Sequence, residues 1–222
     1  MAGIQDFAIF EDDFFGAGTY GAAAQGIPWA IADTSAAGTP TYANVTPSAL
    51  GEVKLTLAAT SEVENVCLSF GDTLCFDIDQ IQRFETRLKV TGCTSGTTIT
   101  WGLASARNDT PASMTALALF QMVGATSTTA VTVETDDNVT DTAPVTSGQM
   151  LATAYKKFVI DFTGGTANVK FYIDGIRVAA ATTFVMSGYT GSLQPFFQIQ
   201  KAANTNVDAI TIDYVKLICK RV

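Results

Sequence analysis

The stretch "NVKFYIDGIRVA", residues 168–179, alternates apolar and polar side chains on both sides of an Asp-Gly pair. Side chains of period two belong to a strand, and Asp174-Gly175 supplies two residues that tolerate the positive φ of a tight primed turn. With that turn in place, Ile173 faces Ile176, Phe171 faces Val178 and Val169 faces Ala180. Lys170, Tyr172, Arg177 and Ala179 fall on the opposite face. A slip of one residue would turn the apolar set into water, so the pattern fixes the register. Upstream, Phe158, Ile160 and Phe162 alternate before Gly164-Gly165, which adds a third antiparallel strand and makes a meander.

The same period recurs along the chain. Val53, Leu55 and Leu57 share one face. "QRFETRLKV" turns Phe84, Leu88 and Val90 inward and Arg83, Glu85, Arg87 and Lys89 outward, the signature of a half-buried antiparallel strand. "TITWGLA", "LALFQMVG", "AVTVETD", "PFFQIQKA" and "DAITIDYVKLICKRV" read as further strands. In the last of these Ile210 and Ile212 share one parity, and Val215, Leu217 and Cys219 share the other. Either both faces are covered or a bulge near Asp213-Tyr214 re-aims the side chains, and the bulge is the expectation. "DTPASMTALALFQM" carries helix signals, with Pro111 in a first turn. Amid so many strands it is expected to form a short helical turn and then a strand.

Residues 16–42 are rich in Gly and Ala. They are expected to form an arm or loop laid over the remainder, giving residues 1–42 as N-terminal arm and loop and 43–222 as β-sandwich within a single domain. The expected fold is therefore all-β, an antiparallel β-sandwich or jelly roll with an N-terminal extended arm.

Composition narrows the function. Hydrophobic residues make up 47% of the 222 and charged residues 15%, enough apolar side chain for a sizeable core. The net charge is −8 and no run of Lys or Arg offsets it, so no nucleic-acid partner is expected. No apolar run approaches the ~20 residues of a membrane helix, and no membrane partner is expected. "MAGIQDFAIFEDDFF" lacks the positive start and apolar core of a secretion signal. For a chain made in the cytoplasm, Cys67, Cys75, Cys93 and Cys219 are expected to be reduced, buried thiols. The Asn-x-Thr triplets at Asn44, Asn108 and Asn138 are then without consequence.

The chain contains no histidine, which removes Ser-His-Asp and Cys-His catalysis, His-ligated zinc and the commonest general base. The cysteines lack paired CxxC spacing, and no Gly-rich loop has the phosphate-cradling form. Paired carboxylates remain. Glycoside hydrolysis needs two acids across the sugar bond, which a Glu-x-Asp-x-Glu strand can present. "VETDDNV" places Glu134 and Asp136 on one face, but Asn138 stands where a further acid is needed. The acidic run Glu134, Asp136, Asp137 and Asn138, like Glu11, Asp12 and Asp13, has oxygen ligands that suit calcium. Both are read first as solvated loops. Trp101 lies in an alternating strand and is expected in the core, whereas Trp29 packs either under the arm or into a neighbouring subunit. No catalytic, cofactor-binding or metal-binding residue is assigned, and no cofactor is expected.

An early "EDDFFG", a Gly-rich stretch with a Trp, then "FETRLKV", "WGLAS", "FYIDGIRVA" and "IDYVKLICKR" follow in that order. From about residue 11 to 221 this resembles the concanavalin A-like (laminin-G-like) jelly-roll domains of tailed-bacteriophage virion structural proteins. The resemblance implies a virion location after assembly in the host cytoplasm, and no enzymatic activity, because the acid motif of the hydrolase members is absent. It implies first a capsid decoration or cement protein. Such a protein would be a homo-oligomer bound to the major capsid protein or other virion proteins. Phe7, Phe10, Phe14, Phe15 and Trp29, the dense aromatics before the first clear strand, are the expected contacts. The alternative is a tail or fibre component that binds host surface glycan. A glycoside hydrolase acting through Glu134 stands third.

Overall fold

The computed structural model describes residues 6–15, 28–151 and 153–221, so residues 1–5 and 16–27 of the expected arm lie outside the described residues. In chain order the first strands are β1 (Phe7–Asp12), β2 (Ala30–Asp33), β3 (Thr41–Asn44), β4 (Val53–Thr56) and β5 (Glu62–Ser69). Next come β6 (Phe76–Asp77), β7 (Ile81–Thr91), β8 (Thr97–Ala104), β9 (Leu117–Val123), β10 (Ala130–Asp136) and β11 (Asp141–Met150). The last are β12 (Lys156–Asp161), β13 (Lys170–Ile173), β14 (Ile176–Val178), β15 (Ser192–Asn204) and β16 (Ala209–Lys220). They form two antiparallel sheets. The first runs β14-β13-β12-β7-β16-β4-β3 with β1 beside β16; the second runs β11-β10-β9-β8-β15-β5-β2 with β6 beside β15. The all-β sandwich expected from the period-two pattern is the observed fold.

Alternation explains the layers. Phe84, Leu88, Phe158, Ile160, Phe171 and Leu217 of the first sheet meet Leu68, Ile99, Trp101, Phe120, Val133 and Phe197 of the second in one buried core. The ring of Phe120 lies at its centre, stacked at 5.9 Å on Trp101 and set edge-on to Phe158 and Phe171. Trp101 is therefore core, as its strand parity implied.

The meander forms as read: Phe171 pairs with Val178 and Ile173 with Ile176. Asp174 and Gly175 take φ of 50° and 82°, the double positive φ of the primed turn. The expected Val169–Ala180 pair does not form. Ala179 turns to a φ of 48°, so the strand ends and Val169 bridges Phe184 instead. The expected bulge is present, since Arg87 opposes Tyr214 while Leu88 opposes Ile212 and Asp213 is left over. The helical signals yield a single 3-10 turn, Pro111–Ser113, ahead of β9.

Among the described residues of the expected arm and loop, three segments are built into the sheets. β1 pairs with β16, β2 with β5 and β3 with β4. Cys67, Cys93 and Cys219 are buried free thiols; Cys75, expected to be buried with them, is exposed.

Candidate functional site

The outward face of the second sheet is divided in two by the loop that joins β8 to β9. That loop is closed at its base, where the Ser105 amide donates to Ala116 O at 2.8 Å and the Ala116 amide donates to Ser105 Oγ at 3.0 Å. Its far end is held on the sheet by Gln198, whose Nε2 donates to Asp109 O at 3.2 Å and to Asn65 Oδ1 at 2.9 Å. Beneath it a second, smaller apolar cluster forms from Cys67, Ala104, Met114, Leu117, Leu119 and Phe196. These residues have the opposite strand parity to the main core, so they lie on the outer face of the sheet and not between the layers.

Beyond the loop the face opens over β9, β10 and β11. Glu134 stands at the boundary. It lies directly opposite buried Leu119 on β9, and it shares its strand face with Asp136, which opposes Asp141 on β11. Burial against this apolar margin, with the negative charges of Asp141 and Asp136 adding to it, pushes the Glu134 carboxyl up to about 7. A carboxyl in that range carries a proton close to neutrality. Asp136 also accepts the Asn138 amide at 2.8 Å, and the left-handed Asn138, at φ 67°, closes the turn that brings Asp141 back.

Glu134 and Asp136 are two residues apart on one face, about 6.6 Å along the strand, a separation of the order that a pair of glycosidase carboxyls requires. Chemically, the arrangement offers a protonated acid beside a carboxylate at the edge of an apolar surface. The sequence showed Glu134 and Asp136 on a shared face. It did not show Leu119 or Asp141, because both come from cross-strand pairing. The Asp-Asn turn between two alternating runs was the available signal for Asp141.

The two acidic runs weighed for calcium hold few free oxygens. Glu11 pairs with Lys216 at 2.8 Å, while Asp12 accepts the Phe14 amide and the Trp29 indole N–H, both at 2.8 Å. Asp137 is buried and accepts the amides of Val139, Thr140 and Gly188, which hold its carboxyl below its usual range against the cost of burial. Among the described residues no group of three His, Cys, Asp or Glu side chains is placed to hold a metal ion.

The aromatic contact candidates are spread over different environments. Phe14 and Trp29 have their rings in the main core, and Phe10 is half-buried against Trp29, Phe70 and Phe76. Phe7 and Phe15 are exposed, at 46% and 66%.

No family model and no curated protein matches this chain. Solved structures do match it. The GH16 protein of a Bacteroides ovatus mixed-linkage glucan PUL, solved with a G4G4G3G product, has a TM-score of 0.63 and 12% identity over 94% of this chain and 99% of its own. The carbohydrate recognition domain of Emp47p has a TM-score of 0.61 and 11% identity, with both chains covered completely. A conserved carbohydrate esterase from the Shiga toxin-encoding bacteriophage phi24B has a TM-score of 0.52 and 13% identity, over 89% of this chain and 92% of that one. At such identities the likeness shows the fold, and the fold is the concanavalin A-like jelly roll.

The expectation that the chain is no enzyme is corrected by this finding. Glycoside hydrolases recur among the structures that share the architecture. The lack of a complete acid motif in one strand is no ground for excluding catalysis when a sheet can assemble acids from neighbouring strands.

Proposed function

We propose that this chain recognises saccharide on the open part of the second sheet's outer face, across Glu134, Asp136 and Asp141. The observation that carries the reading is the Glu134 carboxyl, raised to about 7 beside the buried apolar cluster and flanked on the open face by two further acids. A sugar ring has apolar faces and a rim of hydroxyls. Gln121, Thr132 and the acids line this part of the face and match that rim. Similarity to a carbohydrate recognition domain and to the GH16 protein of a mixed-linkage glucan PUL solved with its product supports this over a head-decoration role.

Hydrolysis is the second reading, and the Glu134–Asp136 pair favours it. A protonated Glu134 would give its proton to the departing glycosidic oxygen as the C–O bond breaks, while the Asp136 carboxylate takes a proton from the water that attacks the sugar carbon. A virion tail or fibre, the setting suggested by the order of the sequence motifs and supported by the phi24B chain, suits either activity.

Glycan-array binding followed by calorimetry tests the first reading, and an array with no hits overturns it. Reducing-end release from mixed-linkage glucan tests the second. Glu134→Gln is expected to lower that rate by at least about a hundredfold, as loss of a general acid does. Equal rates in the two proteins would remove Glu134 from the chemistry. Immunogold labelling over the tail, and not the head, is the expected location.

A further inference from the structure

The outward face of the first sheet has the opposite electrostatic character. Its strands bring together Arg83, Arg87 and Lys89 from β7, Lys157 from β12, Lys170 from β13 and Arg177 from β14, six of the chain's 13 basic residues. Glu85, Asp161 and the bulge residue Asp213 are interleaved with them. Arg83 pairs with Glu85 at 2.6 Å, Lys157 approaches the same carboxylate at 3.9 Å, and Arg87 pairs with Asp213, while Arg87 and Lys89 both lie over the Tyr155 ring at 4.4 and 4.5 Å. Lys170 and Arg177 are absent from the ion pairs seen among the described residues. A protein of net charge −8 thus presents one basic surface.

That surface contains a cleft of about 320 Å³ lined by Arg83, Lys157, Val159, Asp161, Tyr172 and Gly175. Val159 is apolar and buried although it faces outward, and Tyr172 stands directly opposite it on β13. The buried Arg83 Nε has no hydrogen-bond partner. Two cations that share the single carboxylate of Glu85 therefore flank an apolar and aromatic floor, with Asp161 also in the lining, and an incoming anion would take the place of Glu85 between them.

We propose that this cleft binds an anionic saccharide, its carboxylate or sulfate held by Arg83 and Lys157 and its ring laid against Tyr172 and Val159. Size and charge favour this occupant over a nucleic acid. The basic area is about 14 Å across the strands and 20 Å along them, from strand spacing and rise. A long polyanion would run beyond it onto an acidic surface that repels it. A short or flexible acidic glycan fits within it, and the tyrosine ring offers a stacking face. The site is on the opposite side of the sandwich from Glu134 and does not depend on the reading proposed for that face.

Calorimetry on the full chain tests the inference with four probes: a short oligogalacturonate, a heparin oligosaccharide, a neutral oligoglucan and single-stranded DNA. Binding of the oligogalacturonate or of the heparin oligosaccharide, weakening with added salt, is expected, and the tighter of the two identifies the anion. Arg83→Ala with Lys157→Ala is expected to weaken it at least tenfold with an unchanged circular dichroism spectrum. Glu134→Gln is expected to leave it unchanged, which separates this site from the other face. The inference is overturned if neither acidic saccharide binds, if the DNA binds as tightly, if the neutral oligoglucan displaces the bound acidic saccharide, or if the double variant binds normally.

Discussion

The proton on Glu134 should be visible in the stability of the protein. Its carboxyl is raised from an ordinary 4.5 to about 7, first by burial and then by Asp141 and Asp136. The folded state then holds a proton that the unfolded chain has lost, so stability falls as pH rises from 4.5 through 7 and levels off above. The interval corresponds to about 3 kcal/mol at 1.36 kcal/mol per unit, reduced to roughly 2 by the solvent that reaches a half-buried side chain. Glu134→Gln keeps the shape of the neutral acid and cannot ionise. Relative to the native chain it should be nearly neutral at pH 4.5 and stabilising by roughly 2 kcal/mol at pH 8, a rise in Tm of about 4–8 °C. Urea unfolding of both proteins at the two pH values measures the difference, in which the other titrating groups cancel. Parallel pH profiles would show that Glu134 ionises in the ordinary range and would remove the basis for a proton donor on this face.

Three further outcomes concern the framework that holds the faces apart. Lys201 and Glu64 form a fully buried pair at 3.7 Å at one end of the sandwich, and Lys201 Nζ also donates to Thr60 O at 2.7 Å. Removing only the lysine, Lys201→Ala, should cost about 3–5 kcal/mol, whereas Lys201→Met with Glu64→Leu should cost far less; equal losses in urea titrations would refute an uncompensated charge as the cause. Phe120→Ala, in the middle of the aromatic cluster, should cost about 3–5 kcal/mol by the same assay, and a loss below about 1 would mean the core collapses around it. Gly102→Ala should cost more than about 1 kcal/mol, because Gly102 has a φ of 146° and an added Cβ would sit 2.4 Å from Ala118 O; a neutral result would show that β8 and β9 shift apart freely.

What could be read from the sequence divides along physical lines. Strands that bury one face announce themselves by parity, which is why the meander, the "FETRLKV" strand and the Asp213 bulge agree with the structure. Strands with both faces covered do not alternate. In β5, Asn65, Val66, Cys67, Leu68 and Ser69 are all buried, because Val66 and Leu68 face the core while Cys67 faces the loop-covered cluster. Its inward Glu64 would read as an exposed charge in any one-dimensional pattern. Lys201 on the neighbouring β15, with the Ala58 amide and the Thr60 hydroxyl that donate to its carboxylate, makes it tolerable there. Glu134 was found by parity, and its raised carboxyl was not, since burial depends on Leu119 from another strand. Phe14 and Trp29 were expected as partner contacts because they belong to a dense run of aromatics before the first clear strand, with packing under the arm the other expectation for Trp29. Their rings instead fill the core where β1 and β2 join the two sheets.

Charge was the property least legible in one dimension. The absence of a Lys or Arg run argued against a nucleic-acid partner, and such a run reports only the charge gathered by a helix or loop, where neighbours in sequence are neighbours in space. In a sheet, alternate residues of one strand and residues far apart on adjacent strands share a surface about 5 Å from strand to strand. Arg83, Lys157 and Tyr172 are spread over some ninety positions of sequence, yet they line one cleft. A net charge of −8 is therefore an average over two faces of opposite sign. Partner chemistry on such a sandwich has to be argued face by face: an acid with a raised carboxyl on one side, and an apolar and aromatic floor flanked by cations on the other.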